Sequence, residues 1–528
     1  MPAQSGAESP ITSDRVSAPR VVTRALGASK LAAEALAGRL PAGWITAAPR
    51  GADAWRAHAE RVRAEFAARD WQGALAPAFA ASGKAAARLA TVAGGRGIVV
   101  TTGQQPGLFG GPIYTWSKAL SALALADALE RASGMPVAPV FWAATYDADF
   151  AEAAVTFVAN GGDVERLAMT RPAGDARRLN DTRLGDVSAL ADELERASGA
   201  AADHGVLEQM RAAYAPSATV GSAYVRLLRS VLEPLGIAVL DAGHPCVTAA
   251  SAPPLRSALA SAKAVDAGLL EREQAMRAAG FEPKVPHVKG LSLVFQVDDG
   301  VRRRIPIAEA AGAADGTLEP NVLLRPVVER AILPTAAYVA GPGEIAYFAQ
   351  VSAVAGALAL APPVAVPRWG GRIIEPHVDR ILERHGLQPE ELDDAHAVDT
   401  RLARRRMPGS VEAAVAHYRA ALDTASRDLV TAIEREKSPL VPDAVLEGAR
   451  RAMAHRLDRL ERRLVAAVRR RERGLMHDLA VARASLFPLG KPQERMLNFL
   501  PLLARHGTPL LDLVRAAAAE HAAALIRG

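Results

Sequence analysis

Val99-Val100-Thr101-Thr102-Gly103-Gln104-Gln105-Pro106-Gly107-Leu108-Phe109-Gly110-Gly111-Pro112-Ile113-Tyr114-Thr115-Trp116-Ser117-Lys118 decides how the rest of this 528-residue chain is read. A β-branched run stops at a glycine-rich loop, and Pro112 opens a helical pattern where its missing N–H needs no partner. Ile113, Trp116, Leu120, Leu123 and Ala124 share one face at helical spacing, and the helix runs out at Ser133-Gly134 with Pro136 beyond. Val137 to Ala143 is apolar almost throughout, as a strand covered on both faces by crossover helices should be. These pieces form a βαβ unit and predict an α/β fold around a Rossmann-like core. The second strand leads into Thr145-Tyr146-Asp147-Ala148-Asp149-Phe150-Ala151-Glu152. Ligands of open α/β sheets sit outside the carboxyl ends of the strands, where both segments fall.

A loop that hands over to a helix N-terminus aims backbone N–H groups and a positive dipole end at one point, which suits a phosphate, carboxylate or oxyanion. Gly103, Gln104, Gln105, Gly107, Gly110 and Gly111 are the residues expected to bring backbone close to such a group. Tyr114 and Lys118 lie four apart near the helix start, and Lys118 is placed either to neutralise an anion or as a solvated surface lysine. Asp147, Asp149 and Glu152 suit a cationic amine or a magnesium ion, since carboxylates are natural ligands for both. The plainer account makes the glycines a tight turn and the acids a solvated loop.

The remainder of the chain repeats this grammar and then departs from it. Residues 30–90 read as helices, Val155 to Leu167 as a further strand, Val187 to Tyr214 as a helical insertion, and Ile237 to Asp241 as a strand ending in an acid. Leu291 to Val297 and Val301 to Ile305 flank Asp298-Asp299-Gly300, a hairpin signal. Ala337 to Ala340 runs into Gly341-Pro342-Gly343-Glu344, a second loop at a strand end that can face the first. From Val411, the residues Val415, Tyr418, Leu422, Ala425, Leu429 and Ala432 alternate steps of four and three. Met453, Leu457, Leu460, Leu464 and Ala467 do so again after Ser438-Pro439. Two helices are expected to form a projecting antiparallel coiled coil whose narrow seam draws in a second copy, giving a homodimer. The domain reading is a loosely ordered tail over 1–29, a core over 30–375, a connector over 376–410, the coiled-coil hairpin over 411–484, and a segment over 485–528 that returns to the core.

Composition sets bounds. Sixty-three basic and 57 acidic groups leave a formal charge of only +6, and Asp458, Glu461 and Glu472 interrupt the arginines between Arg450 and Arg473, so nucleic acid is not the expected partner. The single cysteine, Cys246, excludes an internal disulfide framework and fits a reducing cytoplasm. His244-Pro245-Cys246 reads as a buried thiol beside a histidine rather than a nucleophile and base, because that spacing does not fix their geometry. His287 and Lys289 precede the hairpin and read as structural. No metal-binding cysteine spacing and no long uncharged apolar run are present, so no metal site and no membrane span are expected.

Three ordered signatures carry a resemblance. Thr102-Gly103-Gln104-Gln105 with Gly111-Pro112 and Tyr114-Thr115, then Pro139-Val140-Phe141-Trp142, open it. Arg325-Pro326, Leu333-Pro334-Thr335 and Gly341-Pro342-Gly343-Glu344-Ile345-Ala346-Tyr347 continue it, and Leu486-Phe487-Pro488, Gln493-Glu494-Arg495 and Asn498 close it. Together they resemble the cysteine-adding enzyme family of bacillithiol biosynthesis, the BshC family. The resemblance implies an amide-forming ligase that attaches cysteine to glucosaminyl malate, with Arg325, Gly341, Gly343, Glu344 and Tyr347 completing the site. A free carboxylate is a poor acylating agent, so activation by ATP with magnesium is the usual route. The glycine loop, however, lacks the Gly-Lys-Ser/Thr ending of a P-loop. One departure stands out: where the family is expected to read Gly-Glu-Asp-His-Asp-Phe-Asp-Glu, residues 145–152 here lack the histidine, with Ala148 in its place and Ala151 in place of an aspartate. That leaves three readings: the ligase, an altered binding or scaffold homologue, and an ATP-dependent ligase for another amino sugar.

Overall fold

The computed structural model describes residues 18–171, 175–200, 202–313, 316–436 and 441–528. They fall into two compact units, one of Met1–Val158, Glu165–Ile374 and Pro492–Gly528, the other of Ala159–Val164 and Glu375–Lys491.

The first unit is built on strands β1 (Ile98–Gln104), β2 (Val137–Ala143), β3 (Ala238–Asp241), β4 (Leu291–Asp298), β5 (Val301–Pro306), β6 (Thr317–Pro320), β7 (Thr335–Ala340) and β8 (Ala365–Pro367). Five of these form one parallel sheet in the order β8-β7-β1-β2-β3. Helix α1 (Ile113–Ser133) connects β1 to β2 on one side of β1, while β7 pairs on the other. The carboxyl ends of β1 and β7 therefore flank a topological switch point, where an open α/β sheet leaves a crevice. Helix α2 (Pro342–Ala357) starts directly after β7 and brings the second glycine-containing loop to the same edge. A three-stranded antiparallel sheet, β5-β4-β6, stands apart from the parallel one.

Burial explains why these segments fold as they do. Every residue of β2 is buried, as its unbroken apolar run requires. Helix α1 is buried on almost every face rather than on one, because the sheet and the terminal helix Leu500–Arg527 both pack on it. Two of its buried hydroxyls are satisfied within the helix: those of Ser117 and Ser121 donate to the carbonyls of Ile113 and Ser117 at 3.2 and 2.6 Å. The segment over 1–29 is not wholly a loose tail, since Arg20–Thr23 pairs antiparallel with Gly371–Ile374, and backbone pairing orders it. Val155 to Leu167 holds two strands, Val155–Asn160 and Asp163–Ala168, where one was expected.

In the second unit, α3 (Gly409–Glu434) and α4 (Asp443–Arg471) pack together as a helical pair. Ser438-Pro439 lies outside the described residues. The seam departs from its expected membership. Val411, Val415, Leu422, Ser426 and Ile433 turn inward on α3, and Leu457 and Val465 are buried on α4. Tyr418, Leu429, Met453 and Leu460 are exposed instead. Arg419 occupies the inward step next to Tyr418, donating to Asp458 and Glu461 at 2.8 and 3.0 Å; Leu422 keeps its expected place, and beyond it the inward positions Ser426, Val430 and Ile433 fall one residue later than expected.

Candidate active site

A cavity of about 650 Å³ opens at the switch point. Its lining includes Gly103, Gln104 and Gln105 from the end of β1, Tyr114 and Lys118 from α1, and Asp147 and Glu152 from the acidic loop. Arg325 and Tyr338, Gly341, Gly343, Glu344 and Tyr347 around β7 and α2 complete that wall. All three signatures thus meet at one place, the third through Arg495.

Lys118 ties the two strand-end loops together. Its ammonium lies 2.5 Å from Glu344 Oε2 and donates to Gly103 O at 2.8 Å and Gln104 Oε1 at 3.1 Å. Those three acceptors use all three of its protons, so Lys118 holds the loops rather than neutralising a bound phosphate. Glu344 in turn accepts from the Gly341 N–H at 2.7 Å and the Tyr338 hydroxyl at 2.6 Å, capping α2. Burial pushes the Glu344 carboxyl up, but Lys118, Tyr338 and Gly341 outweigh it and hold it below its ordinary value. Arg325 extends the network, donating to Glu329 at 2.7 Å and to the Tyr338 oxygen at 3.0 Å.

Gly107, Gly110 and Gly111 do not line the cavity, contrary to the expected anion cradle. A Cβ on Gly110, at φ +84°, would come within 2.6 Å of the Trp116 ring, and one on Gly107 within 2.9 Å of Gly111 Cα. The N–H groups of Gly110 and Gly111 donate to Gly107 and Leu108 carbonyls at 3.0 and 3.1 Å, and Ile113 N–H donates to Leu497 O at 3.0 Å. The start of α1 is therefore closed by the chain itself. Asn498 completes the closure, its amide donating to the carbonyls of Leu108 and Phe109 at 3.2 and 3.0 Å. The third signature is a clamp: Gln493 hydrogen-bonds both ways with the backbone of Ile373, and Glu494 takes both Arg368 nitrogens at 2.8 and 2.6 Å.

The acidic loop divides its roles. Asp147 accepts from Ala148 N–H at 2.7 Å and faces Arg302 at 3.3 Å. Asp149 is exposed, caps the short helix Phe150–Ala153 through Glu152 N–H at 3.1 Å, and does not line the cavity. Glu152 keeps surface open to solvent, yet its carboxyl is held above its ordinary value, first by partial burial and then by Asp149 and Asp147. The Gln105 side chain beside it acts the other way, lowering the Glu152 carboxyl by hydrogen bonding, but burial and the two acids outweigh it. The three acids do not converge on one point. Among the described residues no group of three His, Cys, Asp or Glu side chains is placed to hold a metal ion.

Lys284, Arg302, Arg304 and Arg368, none of them singled out in the sequence, also line the cavity, together with Arg495 of the closing signature. With Lys118 and Arg325 they make seven cations; Lys118, Arg302, Arg325 and Arg368 are paired with carboxylates, and the remaining Lys284, Arg304 and Arg495 face Glu152, so the cavity favours an anionic molecule. The signal was present in Arg302-Arg303-Arg304, where period-two alternation puts the outer pair on one face. Elsewhere, His244 Nδ1 lies 3.1 Å from Cys246 Sγ because His244 caps the helix that contains Cys246, a contact their spacing alone did not predict. Burial raises the Cys246 thiol above its ordinary value, the opposite of an activated nucleophile. His287 is paired with Asp266 at 2.6 Å, and Lys289 is absent from the lining.

Fold and cavity define a Rossmann-like α/β protein joined to a coiled-coil domain. A family model described as Bacillithiol biosynthesis BshC, N-terminal Rossmann-like domain, matches residues 73–313 and 307–369. A second, Bacillithiol biosynthesis BshC, C-terminal coiled-coil domain, matches residues 372–523. The chain belongs to the BshC family. Among its relatives, proteins named "Putative cysteine ligase BshC" from Solibacter usitatus and Koribacter versatilis are 31% and 30% identical. The alignments cover 78% of this chain in both cases and 81% and 80% of theirs. One of the same name from Thermus thermophilus is 32% identical over 79% of this chain and 86% of its own.

Proposed function

We propose that this protein is the cysteine ligase of bacillithiol biosynthesis, joining the carboxyl group of cysteine to the amine of glucosaminyl malate as an amide in the last step. The observation that carries this reading is a cation-rich cavity at the switch point holding one carboxyl group, Glu152, whose affinity for protons is raised. An amine attacks only when neutral, and a carboxylate with a raised pKa is suited to take its proton. Glu152 is the base in this account, doing the work that Ala148 leaves undone where the family motif is expected to carry histidine.

Amide formation from a free carboxylate needs activation, for which ATP is the ordinary source. The inward-turned glycine loop and the saturated Lys118 do not form a phosphate cradle, so no step is assigned to a nucleotide there.

A second copy is the expected partner of the coiled coil. Tyr418 and Leu429 on α3, and Val445, Met453 and Leu460 on α4, are between 49% and 61% exposed. They recur at helical spacing on both helices, and such a stripe is stabilised when another helix covers it. Among the described residues no helix is long and apolar enough to cross a membrane, and we place the protein in the cytoplasm with its small-molecule substrates.

Cells lacking this gene test the reading: they should lose bacillithiol and accumulate glucosaminyl malate by mass spectrometry. Unchanged bacillithiol would overturn it, and binding of the substrates without turnover would favour the altered binding homologue.

A further inference from the structure

Three cations of the cavity, Lys284, Arg304 and Arg495, have no acid partner among the described residues, and the first two are held in place by the surrounding fold. Arg302 and Arg304 stand two apart on β5, hence on one face, with Phe295 of β4 paired to Arg304 in register. The Phe295 ring lies 4.1 Å from the Arg302 guanidinium carbon and 6.0 Å from that of Arg304. Arg302 is committed on all sides, at 3.3 Å from Asp147, 3.0 Å from Glu319, and donating to Pro320 O at 3.1 Å. Arg304 differs. Its Nε donates to Ser292 O at 3.0 Å, and its two terminal nitrogens have no partner among the described residues. Partial burial lowers the Arg304 guanidinium from its ordinary value, with no carboxylate to offset the effect.

Lys284 borders the same cavity on the stretch between 281 and 290, which has no regular secondary structure. That stretch is nonetheless held firmly. The side-chain amide of fully buried Gln350 accepts from Val285 N–H at 3.1 Å and donates to Val285 O at 2.8 Å, as a neighbouring strand would. Gln350 is itself fixed by Glu273 at 3.1 Å, and two residues further on His287 is paired with Asp266. Lys284 is thus carried on a pinned backbone, and no acid partners it among the described residues. Asn321 lines the same cavity; it accepts Leu323 and Leu324 N–H groups through Oδ1, leaving its Nδ2 without a partner among the described residues.

We propose that Arg304 and Lys284, assisted by Asn321 Nδ2, anchor the carboxylate arm of the acceptor substrate. A guanidinium with both terminal nitrogens unengaged matches a carboxylate in two parallel hydrogen bonds, and a nearby ammonium suits the second carboxylate of a dicarboxylate. A half-buried guanidinium without a counter-charge is a cost to the free protein that bound ligand would offset. The inference rests on the ligase reading for the identity of the ligand, the malyl group of glucosaminyl malate, while the recognition chemistry is that of any small dicarboxylate. A phosphate would satisfy the same donors, so it serves as the control.

The test is calorimetric titration of the full-length protein with L-malate and separately with inorganic phosphate, on wild type, Arg304→Met, Arg304→Lys and Lys284→Met. Wild type is expected to bind L-malate more tightly than phosphate. Arg304→Met and Lys284→Met should each weaken malate by about tenfold or more, the scale of losing one partner of a charged hydrogen-bonded pair, with Arg304→Lys in between. In turnover the same two variants should raise KM for glucosaminyl malate and leave KM for cysteine unchanged. Malate affinity unaltered by Arg304→Met overturns the assignment, as does phosphate binding more tightly than malate in wild type. Failure of the ligase reading is distinguishable: a wild type that turns over nothing but loses malate affinity on Arg304→Met keeps the anchor and loses the reaction.

Discussion

The ammonium of Lys118 sits 2.5 Å from a carboxylate oxygen of Glu344, and this contact joins the loop after β1 to the loop after β7 across the switch point of the sheet. Lys118 is 3% exposed. A charge so placed is tolerated only because each of its protons is accepted, and the crevice that forms the cavity is held open by the same contact.

Removing one partner leaves the other buried and uncompensated. Lys118→Met is expected to destabilise the first unit by about 3–5 kcal/mol. Lys118→Met combined with Glu344→Gln should recover part of that loss, because no lone charge remains. Urea unfolding of the three proteins measures both effects, and equal destabilisation by single and double variants would contradict the pairing.

Gly110 tests the correction to the glycine loop. Its φ of +84° and the 2.6 Å approach a Cβ would make to Trp116 predict that Gly110→Ala costs about 1–3 kcal/mol of stability through strain and overpacking. Ligand affinity, measured by calorimetry below the shifted melting temperature, should change little because Gly110 is not in the cavity wall. A large affinity loss without destabilisation would restore the anion-cradle reading.

Glu152 gives a pH dependence with a definite sign. Its carboxyl is raised in the folded protein, so the carboxylate needed to take a proton forms only as pH climbs through that raised value, and kcat/KM should rise over the same interval. Glu152→Gln should remove that limb of the profile and lower turnover by about 100-fold or more. For stability the sign is opposite. The group's contribution is most favourable below its unfolded pKa and is lost as pH rises through the folded one, so Glu152→Gln should be the more stable protein at neutral pH and lose that advantage in acid. With Glu152 as base, Ala148→His should raise turnover by less than about tenfold, below the usual scale of a missing general base.

The coiled coil predicts assembly. Light scattering at micromolar concentration should find two copies of the chain, and Tyr418→Glu with Leu429→Glu should give one, by placing charge in the exposed stripe. A monomeric wild type would remove the dimer.

How much of this was legible in the sequence follows from how each signal arises. The limits of α1 and β2 were readable because Pro112, Gly134 and an unbroken apolar run are local signals. The convergence of the loops after β1 and β7 was legible as strand-end grammar. The inward turn of Gly107, Gly110 and Gly111 was not, since it depends on Trp116, Leu497 and Asn498, the last nearly 400 residues away in sequence. The fate of each charge was hidden for the same reason: Lys118 is saturated and Arg304 is unpaired because of residues brought in from other elements. Heptad spacing found both coiled-coil helices and the inward Val411, Val415, Leu422 and Leu457, but not the one-residue step at Arg419 that leaves Tyr418 and Leu429 exposed.

The most direct measurement is turnover by the purified full-length protein supplied with cysteine, glucosaminyl malate, ATP and magnesium, read by mass spectrometry of the product for wild type and Glu152→Gln. The account predicts accumulation of the cysteinyl amide with wild type and a loss of about 100-fold or more with Glu152→Gln, while substrate binding persists. Wild-type rates undiminished in Glu152→Gln, or no amide from a wild type that binds both substrates, would contradict it.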